Sequence, residues 1–263
     1  MLTAETLTFR RGGRALVDGV GLRIGAGEFV GIIGPNGAGK STLLRLLAGL
    51  LAPAAGQVRL KDRPLGQWLR RDRARQMAYL PQTPSSSWSL TAAELVALGR
   101  EPHRALMAGL SAGDRAAIER AAVQCDIADL MGRDIRTLSG GEAMRVHLAR
   151  ALATEAPVLL ADEPIAGLDP QHQLSLLALL SRLAREGRSV VAVLHDLTLA
   201  GRFCDRLVML DHGRLAAQGP PAEVSSDAAL AAIFGVTVRR QLDAAEGLVL
   251  PWAVADERKR DGR

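Results

Sequence analysis

The sequence has few cysteines, few aromatic residues and almost no lysine. Its two cysteines, Cys125 and Cys204, cannot supply the disulfide framework of a small secreted domain in a chain of 263 residues. Both lie in stretches with apolar periodicity, so we expect buried, inert thiols. Aromatic residues make up 3% of the chain, and lysine occurs only at Lys40, Lys61 and Lys259. Nearly all of the positive charge is therefore arginine.

No hydrophobic run is long enough for a transmembrane helix. The most apolar stretches, Leu43–Ala55 and Leu174–Ala184, contain Arg45 and Arg182 and fall short of the ~20 residues that span a bilayer. The first residues also lack the apolar segment of a signal peptide. We therefore expect a cytoplasmic chain that is at most peripheral to a membrane.

Composition and charge further limit the kinds of protein and of partner that fit the sequence. A hydrophobic content of 48% excludes a disordered chain. The net charge of +5 and the pI near 10 raise the question of nucleic acid or an anionic membrane surface as a partner. Because arginine and acidic residues are interspersed, a solvated surface is the favoured interpretation.

Apolar runs typical of strands alternate with helical periodicity, which predicts an α/β fold with a mostly parallel sheet. Residues 2–9 and 16–24 instead predict antiparallel strands joined by a turn. The strand pattern disappears between Thr83 and Arg136, where Thr91 opens a capping box and Asp114–Gln124 is predicted to be helical. We expect a helical insert over 83–153. The predicted core strands are Phe29–Ile33, Val158–Ala161, Ser189–Leu194 and Leu207–Leu210.

Residues 34–41 form the most specific motif. They match the phosphate-binding pattern G-x-x-x-x-G-K-[ST] and lie between the strand Phe29–Ile33 and a predicted helix over Thr42–Leu50. The glycines let the backbone curl so that N–H groups face phosphate oxygens, and the helix N-terminus adds positive potential. We expect the lysine to contact the β- and γ-phosphates and the serine to bind Mg²⁺. The predicted nucleotide-binding residues are Gly34, Pro35, Asn36, Gly37, Ala38, Gly39, Lys40, Ser41 and Thr42.

Two adjacent carboxylates follow the predicted strand Val158–Ala161. We expect Asp162 to hold Mg²⁺ through water and Glu163 to lie where a water molecule attacks the γ-phosphate. Up to this point the residues indicate a Mg-ATP or Mg-GTP phosphohydrolase or kinase and nothing narrower.

A second anion-binding element, Leu138–Glu142, here called the signature, follows the helical insert and opens a helix predicted over Ala143–Ala153. Two such elements about a hundred residues apart suggest ATP held between two chains. With this motif the sequence resembles the ATP-binding cassette (ABC) ATPases, in particular the separate ATPase chains of bacterial importers. The resemblance covers about residues 2–235, although Glu142 stands where many relatives have glutamine. It implies that Ser139, Gly140 and Gly141 contact the partner chain's ATP.

The resemblance implies further roles, residue by residue. Phe9 resembles the aromatic residue that stacks on adenine. Gln82 resembles the Q-loop glutamine, which ligates Mg²⁺, serves in catalysis and senses the permease. Asp169 resembles the D-loop aspartate that crosses the dimer, and it can also cap the helix that starts at Pro170. His195 resembles the switch histidine that contacts the γ-phosphate.

The implied architecture is a P-loop NTPase core with an N-terminal antiparallel β subdomain and an inserted helical subdomain. A single ABC ATPase domain would span 1–240, with core segments 1–82 and 154–240, the helical subdomain 83–153 and a tail 241–263. The implied partners are a second copy of the chain, two transmembrane permease subunits at the cytoplasmic face of the inner membrane and, indirectly, a periplasmic binding protein. ATP and Mg²⁺ are the implied ligands.

Three features resemble the importers of ferric siderophores, haem and cobalamin: the segment Leu98–His103, Glu142 in the signature, and the ending 218–236. The sequence does not identify the transported chelate, because the residues that contact it lie in other chains. A soluble ABC ATPase acting on nucleic acid or ribosomes is the alternative, but the chain has no heptad run, second cassette or cysteine pairs at zinc spacing. A small-molecule P-loop kinase would leave the signature and His195 unexplained. We expect no nucleic-acid partner.

Overall fold

The structure is a computed structural model that describes residues 1–82, 89–105, 108–241 and 248–254. Its strands form two large sheets and one two-stranded sheet. The strands are β1 (Leu2–Arg11), β2 (Arg14–Ile24), β3 (Phe29–Ile33), β4 (Ala55–Leu60), β5 (Arg63–Pro64), β6 (Met77–Leu80), β7 (Val158–Asp162), β8 (Ser189–Val193), β9 (Arg206–Asp211), β10 (Arg214–Gly219), β11 (Val236–Gln241) and β12 (Leu248–Val254).

Nine helices are present in the described part of the chain. They are α1 (Lys40–Leu47), α2 (Arg70–Gln76), α3 (Ala92–Ala97), α4 (Ala112–Gln124), α5 (Gly140–Ala153), α6 (Pro170–Arg185), α7 (Leu197–Phe203), α8 (Pro221–Val224) and α9 (Asp227–Phe234). None of these helices has the length and apolar character that crossing a bilayer requires.

The central sheet has the strand order β10-β9-β3-β8-β7-β6, and all its pairs are parallel except β9–β10. Every residue of β3, β7 and β8 is buried, as expected for parallel strands covered on both faces. Alternate side chains enter two different cores: Phe29 and Ile33 face the helical one, while Val30 and Ile32 face the other. The predicted parallel sheet is confirmed.

The antiparallel sheet, with the order β2-β1-β4-β5, packs over the second core together with α1. The predicted pairing of the two N-terminal strands is confirmed, with Leu2 opposite Ile24 and Phe9 opposite Val17. The Asp18 N–H donates to the Gly213 carbonyl at 2.8 Å, so this sheet is fastened to the turn between β9 and β10.

The helical insert is confirmed in its described residues. Between β6 and β7 the described residues contain α3, α4 and α5 but no strand, apart from an isolated bridge between Thr91 and Asp134. Thr91 caps α3 with Glu94 in the predicted capping box. The first residues of the predicted insert, 83–88, lie outside the described residues.

Three predicted helices differ from the structure in their bounds. The helix predicted over Asp114–Gln124 begins at Ala112, because Ser111 is its N-cap. The helix predicted over Thr42–Leu50 begins at Lys40 and ends at Leu47, because Gly49 adopts a left-handed φ of 66° just after the C-cap. The helix predicted from Ala143 begins at Gly140, because Ser139 is its N-cap.

The C-terminal region contains a strand pair that weak periodicity did not predict. β11 pairs with β12, with Val236 opposite Val254, so the predicted domain boundary after residue 240 falls inside β11. Apolar and β-branched residues of both segments suit a strand pair, which needs no long periodic pattern. The tail residues 255–263 lie outside the described residues.

Both cysteines are buried free thiols, as predicted. Burial raises the pKa of Cys125 to about 12 and raises the pKa of Cys204 further still. Neither thiol is thus a nucleophile near neutral pH.

His147 in α5 predicts an acid-sensitive fold. The residue is 5% exposed, its Nδ1 has no hydrogen-bond partner among the described residues, and burial lowers its pKa from 6.5 to about 4. The unfolded chain takes up this proton near pH 6.5 while the folded chain does not. Full stability is therefore expected above pH 6.5, with a loss of about 2 kcal/mol by pH 5 from this residue.

Urea unfolding of the wild type and of His147→Gln at pH 7 and pH 5 measures this contribution. The variant should lose about 2 kcal/mol less than the wild type over that range. His212→Gln is the matched control, because His212 is exposed, and it should keep the wild-type dependence. An equal pH dependence in His147→Gln would show that the buried ring does not cause it.

Candidate functional site

The predicted catalytic residues meet along one edge of the central sheet. Residues 34–39 follow β3, His195 follows β8, Glu163 follows β7 and Gln82 follows β6. Because β3, β8, β7 and β6 are neighbouring parallel strands, their carboxyl ends lie side by side. This edge is where open α/β sheets bind ligands.

The glycine-rich loop depends on two close backbone approaches. Gly34 has a φ of 146° and Gly39 a φ of 97°. A Cβ at these positions would clash with the carbonyl oxygens of Leu210 and Leu16, respectively. The loop is thus held between β9 and β2, and larger residues at either glycine would displace it.

Lys40 lies inside this loop. Its Nζ donates to the carbonyls of Gly34 at 2.7 Å and Pro35 at 2.8 Å. Burial lowers the pKa of Lys40, and the charges of Glu163 and Asp162 oppose the shift. The glycine-rich loop therefore contains a buried cation, which suits a polyphosphate.

Asp162 is the fully buried carboxylate of the site. Its Oδ1 accepts a hydrogen bond from Ser41 Oγ at 2.8 Å, and its Oδ2 accepts one from the Tyr79 hydroxyl at 3.3 Å. Burial raises the pKa of Asp162, whereas the Ser41 hydrogen bond and the Arg45 charge, 3.8 Å away, oppose that rise.

The donors around Asp162 fit a magnesium ion. Ser41 and Asp162 offer a hydroxyl and a carboxylate oxygen within 2.8 Å of each other, and the amide of Gln82 lies on the neighbouring strand end. Mg²⁺ prefers such hard oxygen ligands, one or two of them from protein, with water and phosphate completing its shell. When bound, the ion would neutralise phosphate charge at this position.

Glu163 contacts the two other predicted catalytic residues, Gln82 and His195. Its Oε2 accepts a hydrogen bond from Gln82 Nε2 at 2.7 Å, and its Oε1 lies 2.6 Å from His195 Nε2. Glu163 adopts a left-handed φ of 51°, which is costly for a residue with a side chain. Such strain at a strand end, next to a buried aspartate, is typical of functional sites.

The signature residues form a separate N-terminal cap on α5. Ser139 Oγ accepts from the Glu142 N–H at 3.3 Å, and the Glu142 carboxylate accepts from the Ser139 N–H at 2.7 Å. This backbone hydrogen bond lowers the pKa of Glu142, with a further contribution from Arg133, 2.9 Å away. The helix N-terminus therefore already holds one carboxylate.

A cavity of about 340 Å³ lies between this cap and the residues that precede α6. It is lined by residues 139–142, Arg145, Gly167-Leu168-Asp169 and His172, and none of residues 34–42 lines it. Asp169 caps α6 as predicted, accepting from the His172 N–H at 3.0 Å and lying 2.7 Å from its Nδ1. The two anion-binding elements thus face separate spaces within one chain.

Phe9 lies one strand away from the glycine-rich loop. It is half-buried on β1 and packs against the second core. Its register partner is Val17, which follows the Leu16 carbonyl that faces Gly39. Stacking on adenine remains a prediction for this residue.

Two residues of the site were not predicted from the sequence. Tyr79 and Arg45 both approach the carboxylate of Asp162. Arg45 lies one helical turn after Ser41, and this i to i+4 spacing is the signal that indicates a shared helix face. Tyr79 could be found only once β6 and β7 were known to be neighbours.

Comparison with known proteins agrees with this geometry. Residues 17–166, more than half of the chain, match the family model described as "ABC transporter". The chain is 44% identical over 243 residues to the hemin import ATP-binding protein HmuV of Pseudomonas entomophila, covering 90% of this chain and 94% of that protein. It is 47% identical over 229 residues to HmuV of Nocardia farcinica, covering 86% and 79%.

Solved structures show the same fold. The dimeric ATP-binding cassette MJ0796, in a post-hydrolysis state with ADP and Pi, is 29% identical with a TM-score of 0.76, covering 84% of this chain and 99% of that chain. An ABC transporter assigned to the metal-chelate type matches at a TM-score of 0.82 and 24% identity, covering 95% and 97%, and supports the fold alone. This chain belongs to the ABC transporter family, of which it carries the ATP-binding cassette.

Proposed function

We propose that this chain is the ATP-hydrolysing subunit of an importer that takes up hemin. The observation that carries the proposal is its 44–47% identity, over most of its length, to ATP-binding proteins named for hemin import. The sequence motifs alone left siderophores, haem and cobalamin open. These relatives favour hemin among the three.

The proposed assembly contains two copies of the chain and two permease subunits at the cytoplasmic face of the inner membrane. A periplasmic binding protein delivers the substrate, and nucleic acid takes no part. The dimeric form of the related cassette MJ0796 supports the pairing of two chains.

In this assembly each ATP lies between two chains. Residues 34–42 bind the phosphates, Phe9 stacks on the adenine, and Ser41, Gln82 and Asp162 hold Mg²⁺. Ser139, Gly140 and Gly141 of the second chain contact the same ATP, and Asp169 crosses the interface. The separate cavity at the signature supports this arrangement, because no residue of 34–42 lines it. ATP favours the closed pair because it binds that state more tightly.

The chemistry of hydrolysis falls to Glu163 and its two neighbours. The Glu163 carboxylate takes a proton from the water whose oxygen attacks the γ-phosphorus, and the bond to the β–γ bridging oxygen breaks. His195 and Gln82, each within 2.7 Å of the carboxylate, orient it toward that water. Lys40 stabilises the charge that develops on the phosphate oxygens.

Growth on hemin as the only iron source tests the proposed substrate. Cells that lose this chain should lose growth on hemin, the wild-type gene should restore it, and Glu163→Gln should not. In the purified transporter, hemin-loaded binding protein should stimulate ATP hydrolysis more than binding protein offered a ferric siderophore or cobalamin. Stimulation by one of those two instead would reassign the substrate, and co-purification with RNA in place of a permease would contradict the importer.

A further inference from the structure

The segment Leu98–Arg104, here named the clasp, contains one of the motifs that the ATP site does not use. It follows α3 and lies against the end of the signature helix α5. A Cβ at Gly99 would clash with the carbonyl of Arg150 in α5, so the clasp backbone packs directly on that helix.

Two side chains of the clasp hold the C-terminal end of α5. Arg100, 6% exposed, donates through Nη1 to the carbonyl of Ala153 at 2.7 Å. His103 Nε2 lies 2.9 Å from the carbonyl of Thr154. Carbonyls at a helix C-terminus lack partners within the helix and carry partial negative charge, so a buried guanidinium is well matched to them.

Two carboxylates also hold the Arg100 guanidinium in place. It donates through Nε to Asp114 at 2.8 Å and through Nη1 to Glu155 at 2.8 Å. Hydrogen bonds from Ser111, joined by the Arg100 contact, lower the pKa of Asp114. A buried arginine held by two carboxylates and a helix end has one geometry available to it.

The side of the clasp that faces away from α5 is hydrogen-bonded to helix α2. Arg71 and Arg75 of α2 donate to the carbonyl of Pro102 at 2.8 and 2.7 Å, and Arg71 also donates to the carbonyl of Arg104. Helix α2 leads directly into β6, which ends just before Gln82. The clasp is therefore hydrogen-bonded both to the helix that precedes the Q-loop strand and to the C-terminal end of the signature helix.

We propose that the clasp positions the signature helix relative to the Q-loop, with Arg71, Arg75 and Arg100 as positioning residues. Helix α5 is a rigid body of 14 residues, so holding its C-terminal end also orients Ser139 at its N-terminal cap. This proposal rests on the ABC ATPase assignment and not on hemin as the substrate. Failure of either one leaves the other intact.

ATP hydrolysis by the purified full-length chain tests the proposal through the variant Arg71→Gln/Arg75→Gln. We expect kcat to fall by about 10- to 100-fold, up to the loss that a misplacement of about 1 Å can cause, with unchanged ADP affinity and urea stability. Arg70→Gln is the matched control, because Arg70 is exposed on the same helix and makes none of these contacts. Arg71→Lys/Arg75→Lys retains a donor for each carbonyl and should restore most of the rate.

A double-mutant cycle separates positioning from simple stabilisation. His103→Ala removes a contact on the other side of the same clasp and should lower kcat in the same direction. If the clasp transmits position from α2 to α5, breaking either contact already disconnects the two helices. The triple variant should therefore lose no more kcat than Arg71→Gln/Arg75→Gln alone. Wild-type kcat in the arginine pair, an equal loss in Arg70→Gln, or fully additive losses would each overturn the proposal.

Discussion

Glu163→Gln should slow ATP hydrolysis by about 10²–10⁴-fold, the usual cost of losing a positioned general base. The substitution keeps the size of the side chain and one oxygen that can accept from Gln82 or His195, both now within 2.7 Å of the carboxylate. It removes the negative charge that takes the proton. Nucleotide binding should persist, because Lys40 and the glycine-rich loop are untouched.

The same variant should accumulate an ATP-bound dimer. Gel filtration with Mg-ATP should show a mass increase that depends on protein concentration, and ADP should not produce it. Glu186→Gln is the control for the chemical change, because Glu186 is exposed at the end of α6, and it should hydrolyse ATP at the wild-type rate. Near-normal turnover in Glu163→Gln would move the role of base to another residue, with His195 as the first candidate.

Mixing two inactive variants should restore part of the activity. Lys40→Ala removes the ammonium inside the loop and should abolish most nucleotide binding, while Ser139→Arg should block closure and hydrolysis but not ATP binding. A mixed dimer contains one intact site, made from the loop of one chain and the signature of the other. If one site suffices, an equal mixture should recover up to about a quarter of the wild-type rate, since half of the dimers are mixed.

A control variant distinguishes loss of the ATP contact at Ser139 from loss of its helix N-cap. Ser226 caps α9 as Ser139 caps α5, so Ser226→Arg loses a comparable cap, at about 1 kcal/mol, without touching the ATP site. It should leave hydrolysis unchanged. Loss of ATP binding by isolated Ser139→Arg chains, or a cross-link from position 139 to the loop of the same chain, would refute the shared site.

Much of the fold follows from local patterns. The runs Phe29–Ile33 and Val190–Val193 contain no polar side chain because parallel strands are buried on both faces, so they can be recognised without knowing their neighbours. Thr91 and Glu94 specify the start of α3 through a capping box of four residues. The strand Met77–Leu80 escaped prediction, since four residues at the edge of the sheet carry too short a pattern.

The contacts of the clasp, in contrast, do not follow from local sequence patterns. The clasp sequence is recognisable as a motif, but nothing local indicates that Arg100 is buried against the end of α5 or that α2 holds Pro102. These partners are 31 and 53 residues away from the clasp residues. Only the packed structure brings them together.

The phosphate-binding loop could be recognised from the sequence alone, because residues 34–41 are contiguous and form one complete motif. The sequence also determined which residue types could complete an ATPase site. That Gln82, Glu163 and His195 meet, and that Tyr79 contacts Asp162, is visible only in the folded chain. These contacts depend on the strand order β3-β8-β7-β6, in which strands adjacent in space are distant in sequence. Such long-range pairing is fixed by the burial of both sheet faces and not by any local preference.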